Sequence, residues 1–219
     1  MVATTDGPTI MMTLDAQPAM FDAIYDAQSI FRTLLETMAR PGVWRRLPAA
    51  VDGSGPTAGR WLLPIARTLI DHETTFAVVG LDAEQLAGRL THATASRLVA
   101  VEAADYVFSN GAPGAEVVRA LKRGLPAYPD ESATLIVALA MDAAGVELQL
   151  RGPGIDGLLA CTAPGLGESL LDALAEANAT PPLGVDLIVI SPDGMALALP
   201  RSTAIARTGN RESNGVHGG

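Results

Sequence analysis

The glycines at residues 152–157 form the pattern in this sequence that most suggests chemistry. The stretch reads GPGIDG, with the spacing G-x-G-x-x-G that in dinucleotide-binding proteins leads from a strand into a pyrophosphate-binding helix. Pro164 and further glycines follow it, so the required helix is not predicted there. We instead predict a glycine-rich turn leaving an edge or hairpin strand. The backbone N–H groups from Gly152 to Ile155, with Gly154 among them and Arg151 beside them, could still hold an anion.

Histidines offer a second class of chemistry, but their positions argue against a metal site. His72, His92 and His217 are far apart in the sequence, and no two have the spacing of ligands on one helix. We predict no metal. His92, in RLTHAT, is expected just after a helix, where it could cap that helix or contact a ligand. Capping is the favoured interpretation.

Cysteine and lysine each occur once. With Cys161 alone, an internal disulfide and a thiolate metal cluster are excluded, and we predict a small buried hydrophobic residue. Lys122, in RALKRG, is expected on an exposed helix end. A pyridoxal phosphate enzyme needs a lysine in a pocket for its aldimine, so the sequence argues against that cofactor. We predict no cofactor.

Three arginines are candidates for contacts outside the chain. Arg32 lies on the polar side of an amphipathic helix, in DAQSIFRTLLETMARPG. Arg201 follows the last predicted strand, and Arg151 precedes the glycine turn. A solvated charge is the simpler interpretation of each, but arginine is also enriched in interfaces, where its planar group pairs with carboxylates. We hypothesise that these arginines serve either an assembly surface or an anionic ligand.

Composition excludes several classes of protein. Hydrophobic residues make up 48% of the 219 residues, but charges, prolines and glycines break every apolar run before the roughly 18 residues of a membrane helix. Lys and Arg number 15 against 24 Asp and Glu, and the net charge of −9 argues against nucleic acid. The N-terminal residues lack a basic segment followed by an apolar one, so we predict a cytoplasmic protein that binds no membrane.

Helical periodicity predicts most of the elements that position these residues. The first helix starts near Asp26, its predicted cap, and ends at Pro41; its predicted core face comprises Ala27, Ile30, Phe31, Leu34, Leu35 and Met38. The next helix follows Ala58 and is kinked by Pro64 or begins there. A capping box of Asp82 and Gln85 predicts a third helix. Two more are predicted in GAEVVRALKRG, closed by Gly124, and in GESLLDALAEAN.

Strands are predicted between these helices. Two pairs are expected to form antiparallel hairpins: SATLIVALA with VELQL, and VDLIVI with MALALP around the turn SPDG. FAVV and DYVFS are predicted as further strands. The alternation of helices and strands indicates an α/β protein, a three-layer αβα sandwich with a mixed sheet. We predict one domain over residues 21–205, an N-terminal extension over 1–20 and a disordered tail over 206–219.

Five stretches together resemble one bacterial family. They are FDAIYDAQSIFRTLLETMARPGV, THAT, GLPAYPDESATLIV, LRGPGI and PLGVDLIVISPDGMALALPRST. Their order and spacing are similar to those of PhnH, the H subunit of the carbon-phosphorus lyase system. The resemblance implies a fold similar to the large domain of pyridoxal phosphate-dependent transferases without that cofactor, a homodimer, and a core complex with the G, I and J subunits. It also implies a role with the G, I and L subunits in transferring ribose triphosphate from ATP to an alkylphosphonate.

Three functions are therefore compared. The first, which we favour, is an assembly subunit of the phosphonate-degrading complex with no turnover alone. The second is a stand-alone transferase or hydrolase acting on a phosphorylated nucleotide, with Arg151, His92 and the Gly152 to Gly154 turn as its anion site; no nucleophile and base pair supports it. The third, a transaminase, needs a lysine in a pocket. The resemblance assigns no catalytic residue.

Overall fold

A computed structural model describes residues 21–48, 58–139 and 145–207 of the chain. The described helices are α1 (Tyr25–Ala39), α2 (Leu62–Leu69), α3 (Ala83–Thr94), α4 (Ala115–Ala120) and α5 (Glu168–Ala177). The strands of the central sheet are β1 (Arg45–Arg46), β2 (Thr75–Gly80), β3 (Arg97–Leu98), β4 (Tyr106–Asn110), β7 (Thr134–Ala138), β10 (Asp186–Ile190) and β11 (Met195–Leu199). The other strands are β5 (Arg123–Leu125), β6 (Tyr128–Ser132), β8 (Gly145–Arg151), β9 (Leu159–Pro164) and β12 (Ala204–Arg207).

The central sheet is mixed, as predicted. Its order is β1-β11-β10-β7-β4-β2-β3. The strands from β10 to β3 run parallel to their neighbours, whereas β11 pairs antiparallel with β10 and with β1. The buried apolar runs of β7 and β10 are typical of parallel strands that are covered on both faces. The predicted hairpin around SPDG is confirmed as the β10–β11 pair.

Alternate residues of the central strands face two separate hydrophobic cores. On one face, Leu135 and Leu187 pack with α4, α5 and the inner residues of β8. On the other face, Ile136 and Ile188 pack with α1, α2 and α3. The period of two along a strand therefore places helices on both sides of the sheet, and the predicted α/β class with a mixed sheet is confirmed.

The predicted pairing of SATLIVALA with VELQL is wrong. The first run is β7, in the middle of the central sheet between β4 and β10. The second is β8, which pairs antiparallel with β9 and β12 in a separate three-stranded sheet. The apolar residues of β7 face both cores, and its backbone N–H and C=O groups form hydrogen bonds with the parallel strands β4 and β10. No backbone groups of β7 are left to pair with β8. Proximity in the sequence was a poor guide to the strand pairing.

Three local predictions about the helices are also wrong. Helix α4 ends at Ala120, and Gly124 lies within β5 in a β5–β6 hairpin, so it does not close a helix. At the start of α3, Asp82 has a left-handed backbone (φ 52°) and forms no capping hydrogen bond. Asp26 lies inside the first turn of α1 and not at its cap, which is Ile24; Oδ2 of Asp26 accepts a hydrogen bond from the N–H of Asp22 at 2.7 Å. Oδ1 of Asp22 accepts hydrogen bonds from the N–H groups of Ile24 and Tyr25, both at 2.8 Å. These bonds lower the pKa of the Asp22 carboxyl.

The predicted terminal segments fall mostly outside the described residues. Residues 1–20 and 208–219 are among those that the structure does not describe. Ala206 and Arg207, at the start of the predicted tail, belong to β12, and the guanidinium of Arg207 contacts the carboxylates of Glu168 and Asp172 on α5. Among the described helices, none has the length and apolar character needed to cross a membrane.

Candidate functional site

The glycine-rich stretch is a turn between antiparallel strands, as predicted. It joins β8 to β9, and its glycines take positive φ values of 148° at Gly152, 81° at Gly154 and 71° at Gly157. A β-carbon on Gly154 would stand 2.2 Å from the carbonyl oxygen of Ala39, so the turn lies directly against the end of α1. This close approach gives Gly154 a packing role, whether or not the turn also binds an anion.

The proposed partners in an anion site, Arg151 and His92, do not come together. Arg151 ends β8, whose inner residues pack in the core with α4 and α5. His92 lies on α3, which packs in the core on the opposite face of the central sheet. His92 is exposed inside the last turn of α3, which ends two residues later at Thr94, so it lies within the helix and not after it. A basic side chain in the last turn is compatible with the predicted interaction with the helix C-terminus.

Arg201 is occupied by contacts within the chain. Its backbone N–H donates to Oδ1 of Asp186 at 2.8 Å. Its guanidinium donates to the carbonyl oxygen of Pro129 and to Oγ of Ser132, both in β6. The side chain thus ties the turn after β11 to the β5–β6 hairpin. These contacts favour a structural role over the predicted role in assembly or anion binding.

Lys122 lies in an ion pair and not on an exposed helix end, which corrects the prediction. Its ammonium group donates to Oδ1 of Asp105, just before β4. Oδ2 of Asp105 accepts from the backbone N–H of Thr75 at 2.7 Å and from its hydroxyl at 2.6 Å. Burial acts to raise the pKa of the Asp105 carboxyl, but the hydrogen bonds from Lys122 and Thr75 outweigh it and lower the pKa. This cluster lines an open cavity of about 330 Å³ together with Arg123 and Glu131.

The lowered pKa of Asp105 predicts a pH-dependent contribution to stability. A carboxyl whose pKa is lower in the folded state stabilises the fold above its unfolded pKa, about 3.9, and loses that effect as the pH falls through the folded value. We expect Asp105→Asn to cost about 1 kcal/mol at pH 7, since the carboxylate is 36% exposed and partly screened by solvent. Thermal unfolding at pH 7 and pH 3 should show this difference shrinking in acid. The exposed Asp130→Asn serves as control, and an equal loss at both pH values would contradict the assignment.

Cys161 is half-buried and chemically quiet. It lies on β9 and packs against the core on the α5 face. Burial raises the pKa of its thiol, which leaves little thiolate at neutral pH. The prediction of a small hydrophobic residue therefore agrees with its packing, although its side chain is not fully buried.

A second cavity, of about 260 Å³, lies where β7 and β10 end. Leu139 and Ser191, which directly follow these two strands, form part of its wall, and Trp44 and Met195 form another part. The carboxylate of Asp193 in its wall accepts a hydrogen bond from the hydroxyl of Ser191 within the β10–β11 turn. Sequence reasoning treated this turn only as a hairpin connection and missed the cavity, because its walls come from four distant segments.

The outer face of α1 differs most from the sequence-based expectation. Ile30 and Leu34 are buried as predicted, but Phe31 is 46% exposed and Leu35 is 53% exposed. Ile24 and Tyr25, at the start of the helix, are more than 70% exposed. Two of the six residues of the predicted core face of α1, Phe31 and Leu35, are therefore open to solvent. Contiguous exposed apolar residues of this kind mark sites of protein interaction.

Arg32 lies beside these apolar side chains. It is exposed, and it forms no hydrogen bond or ion pair with any other residue in the described ranges. Its helical neighbour Glu36 is instead 3.5 Å from the guanidinium of Arg45. An arginine next to an open apolar face is available to a partner, which agrees with the hypothesis of an assembly role.

Metal binding is not indicated by side-chain clusters. Within residues 21–48, 58–139 and 145–207, no group of three His, Cys, Asp or Glu side chains is placed to hold a metal ion. His217 lies outside the described residues.

Sequence similarity to known proteins extends over almost all of the residues that the structure describes. The family model of the bacterial phosphonate metabolism protein PhnH matches residues 18–206. The chain belongs to the PhnH family. The PhnH subunit of alpha-D-ribose 1-methylphosphonate 5-triphosphate synthase from Rhizobium meliloti is 32% identical over 202 residues, which cover 86% of this chain and 94% of that protein. HtxG of Stutzerimonas stutzeri, named as a C-P lyase subunit protein, is 33% identical over 180 residues, covering 81% and 85%.

Three of the stretches that resemble PhnH meet at one corner of the fold. They are the end of α1 at ARPG, the β8–β9 turn in LRGPGI, and the turn after β11 in LPRST. A β-carbon on Gly152 would stand 2.7 Å from the carbonyl oxygen of Ser202, and one on Gly154 would meet Ala39. In this PhnH-family chain these motifs therefore pack against one another, and Gly152 and Gly154 are explained by backbone contacts that leave no room for a side chain.

Proposed function

We propose that this chain is a subunit of the carbon-phosphorus lyase core complex in alkylphosphonate catabolism. The observation that carries the proposal is the similarity to the Rhizobium meliloti synthase subunit across 94% of that protein. The similarity to HtxG, which is named as a C-P lyase subunit protein, supports the same assignment. The open apolar face of α1 supports an assembly role, since a subunit needs a surface on which its partners dock.

The finer parts of the proposal follow the family resemblance. The chain acts in the cytoplasm as a homodimer that joins the G, I and J subunits. With the G, I and L subunits it is required for transfer of ribose triphosphate from ATP to the phosphonate, and it has no turnover alone. Its fold is similar to the large domain of pyridoxal phosphate-dependent transferases but works without the cofactor. In keeping with this, the ammonium group of Lys122 forms an ion pair with Asp105. It is therefore not a free amine that could form an aldimine.

Affinity purification from cells grown on a phosphonate tests the proposal. The chain is tagged at its chromosomal gene, the cells grow on methylphosphonate as sole phosphorus source, and the purified material is measured by native mass spectrometry. We expect an equimolar assembly with other phosphonate-degrading subunits, and loss of growth on methylphosphonate when the gene is deleted. The same strain on inorganic phosphate is the growth control.

Two outcomes would contradict the proposal. The first is recovery of the tagged chain without other subunits under these growth conditions. The second is turnover of ATP and methylphosphonate by the purified chain alone, which would support the stand-alone transferase or hydrolase. An aldimine absorbance band after incubation with pyridoxal phosphate would instead support the transaminase interpretation. Lys122 could form that aldimine only if its ion pair with Asp105 were broken.

A further inference from the structure

The β5–β6 hairpin is longer than the connection that it makes between α4 and β7 requires. Helix α4 ends at Ala120 and β7 begins at Thr134, so residues 121–133 join them. A connection between a helix and a strand in such folds commonly takes about 2 to 6 residues. The hairpin forms a two-stranded sheet of its own, and neither hydrophobic core of the described chain contains Leu125 or Tyr128 from its turn. The turn of the hairpin therefore adds neither to the central sheet nor to a core.

Four apolar residues at the turn of the hairpin are open to solvent. They are Leu125, Pro126, Ala127 and Tyr128, which we call the hairpin tip. Leu125 is 57% exposed and Tyr128 is 58% exposed. These two residues are directly opposite each other across the hairpin, so their side chains lie on the same face. An exposed apolar patch of this kind is typical of a protein interaction site, and tyrosine is among the residues that contribute most to binding there.

Contacts with the body of the protein hold the strands of the hairpin in place. The guanidinium of Arg201 donates hydrogen bonds to the carbonyl oxygen of Pro129 and to Oγ of Ser132. On the other strand, the carbonyl oxygen of Arg123 accepts a hydrogen bond from the backbone N–H of Gly184 at 3.0 Å. A two-stranded hairpin alone is marginally stable in water, so these contacts fix the position of the tip. A partner that binds the tip does not have to order it first, which lowers the entropic cost of association.

Carboxylates flank the hairpin tip. Asp130 and Glu131 follow it on β6, and both are exposed. In the part of the chain that the structure describes, neither side chain forms an ion pair or a hydrogen bond. Lys122, just before the hairpin, is balanced by Asp105, and Arg123 is half-buried. The flank of the tip therefore carries a net negative charge, which is complementary to a basic partner surface.

We propose that the hairpin tip docks into an apolar pocket on a different subunit of the assembly, and that lysine or arginine side chains around that pocket pair with Asp130 and Glu131. The proposal rests on the proposed function as an assembly subunit, and it adds a contact surface and the chemistry of the partner. A second copy of this chain does not fit this description. A two-fold contact through the tips would bring the same acidic flanks together, where like charges repel each other.

Reconstitution with the other proposed subunits tests the role of the tip. The tagged chain or a variant is co-expressed with the G, I and J subunits, and native mass spectrometry measures the ratio of assembled to free chain. We expect Leu125→Asp and Tyr128→Asp each to lower this ratio at least about tenfold, since each places a carboxylate in an apolar contact. Leu98→Asp is the matched control: Leu98 is similarly exposed, at 53%, but it lies on the edge strand β3. Circular dichroism confirms that all three variants remain folded.

Asp130→Asn combined with Glu131→Gln tests the charge of the flank. These substitutions keep the size of the side chains and remove both charges. We expect the double variant to assemble less well than the wild type at about 0.05 M salt and equally well at about 0.5 M salt, because salt screens exposed charges. A double variant that matches the wild type at low salt, or that is equally impaired at both salt concentrations, would contradict the basic partner surface.

Photo-cross-linking identifies what the tip contacts. Tyr128 is replaced by the photoreactive p-benzoylphenylalanine in the tagged chain, the assembly is irradiated, and the cross-linked peptide is sequenced by mass spectrometry. We expect a cross-link to another kind of subunit, at a segment that contains lysine or arginine. Cross-links to a second copy of this chain, or none at all, would overturn the proposal.

The outcomes separate this inference from the proposed function. If Leu125→Asp and Tyr128→Asp assemble as the wild type does, or if Leu98→Asp loses assembly equally, the tip is not the contact, and the proposed function still stands. If the wild-type chain assembles with no other subunit, the proposed function is overturned, and the contact through the hairpin tip with it.

Discussion

Replacing Phe108 by alanine is expected to lower the free energy of unfolding by about 3 to 5 kcal/mol. Phe108 is fully buried at the centre of β4, and its ring meets that of Phe76 edge to face at a centroid distance of 6.4 Å. The substitution removes the aromatic pair and leaves a cavity between the central sheet and the helices α2 and α3, which close-packed neighbours cannot fill. Urea unfolding followed by circular dichroism measures the loss.

Phe31→Ala is the matched control for this prediction. It removes the same atoms from a side chain that is 46% exposed on the outer face of α1. At concentrations where the chain is monomeric, we expect it to cost about 1 kcal/mol or less, since little apolar area returns to water. Equal losses for the two variants would mean that Phe31 is buried in the isolated chain, and the open face of α1 would then be contradicted.

Replacing Gly154 by alanine is expected to be the most damaging single change in the β8–β9 turn, at about 3 kcal/mol or more. The residue has a left-handed φ of 81°, which alone costs an alanine about 1 to 2 kcal/mol. Its β-carbon would also stand 2.2 Å from the carbonyl oxygen of Ala39. Neither atom belongs to a flexible side chain, so relief requires the turn to move away from the end of α1.

Gly157→Ala separates backbone strain from the steric contact. Gly157 lies in the same turn with a similar φ of 71°, but a β-carbon there meets no atom within 4 Å. We expect it to cost only the strain of the left-handed backbone, about 1 to 2 kcal/mol. Thermal unfolding of both variants measures the difference. Comparable melting temperatures would show that the turn does not press on α1, and the packing explanation for Gly154 would be withdrawn.

Local patterns in the sequence determined much of the secondary structure. The helical period predicted α1, α2 and α5, and short apolar runs predicted β2, β4, β7 and β10. The turn chemistry of SPDG predicted the β10–β11 hairpin. The missing helix after residues 152–157 argued against a dinucleotide site, and the structure shows a turn between antiparallel strands there. Each of these predictions depends on interactions within one segment or between adjacent segments.

Only the tertiary structure decided which segments lie side by side. The apolar pattern of β7 cannot specify whether its neighbour is β8 or β10, because both offer a strand of similar length; two-sided burial selects β10. Likewise, the apolar face of α1 is wide enough for two partners, and only packing shows that the sheet covers Ile30 and Leu34 while Phe31 and Leu35 remain open. Periodicity specifies that a side chain is apolar, but which surface covers it depends on contacts between residues far apart in the sequence.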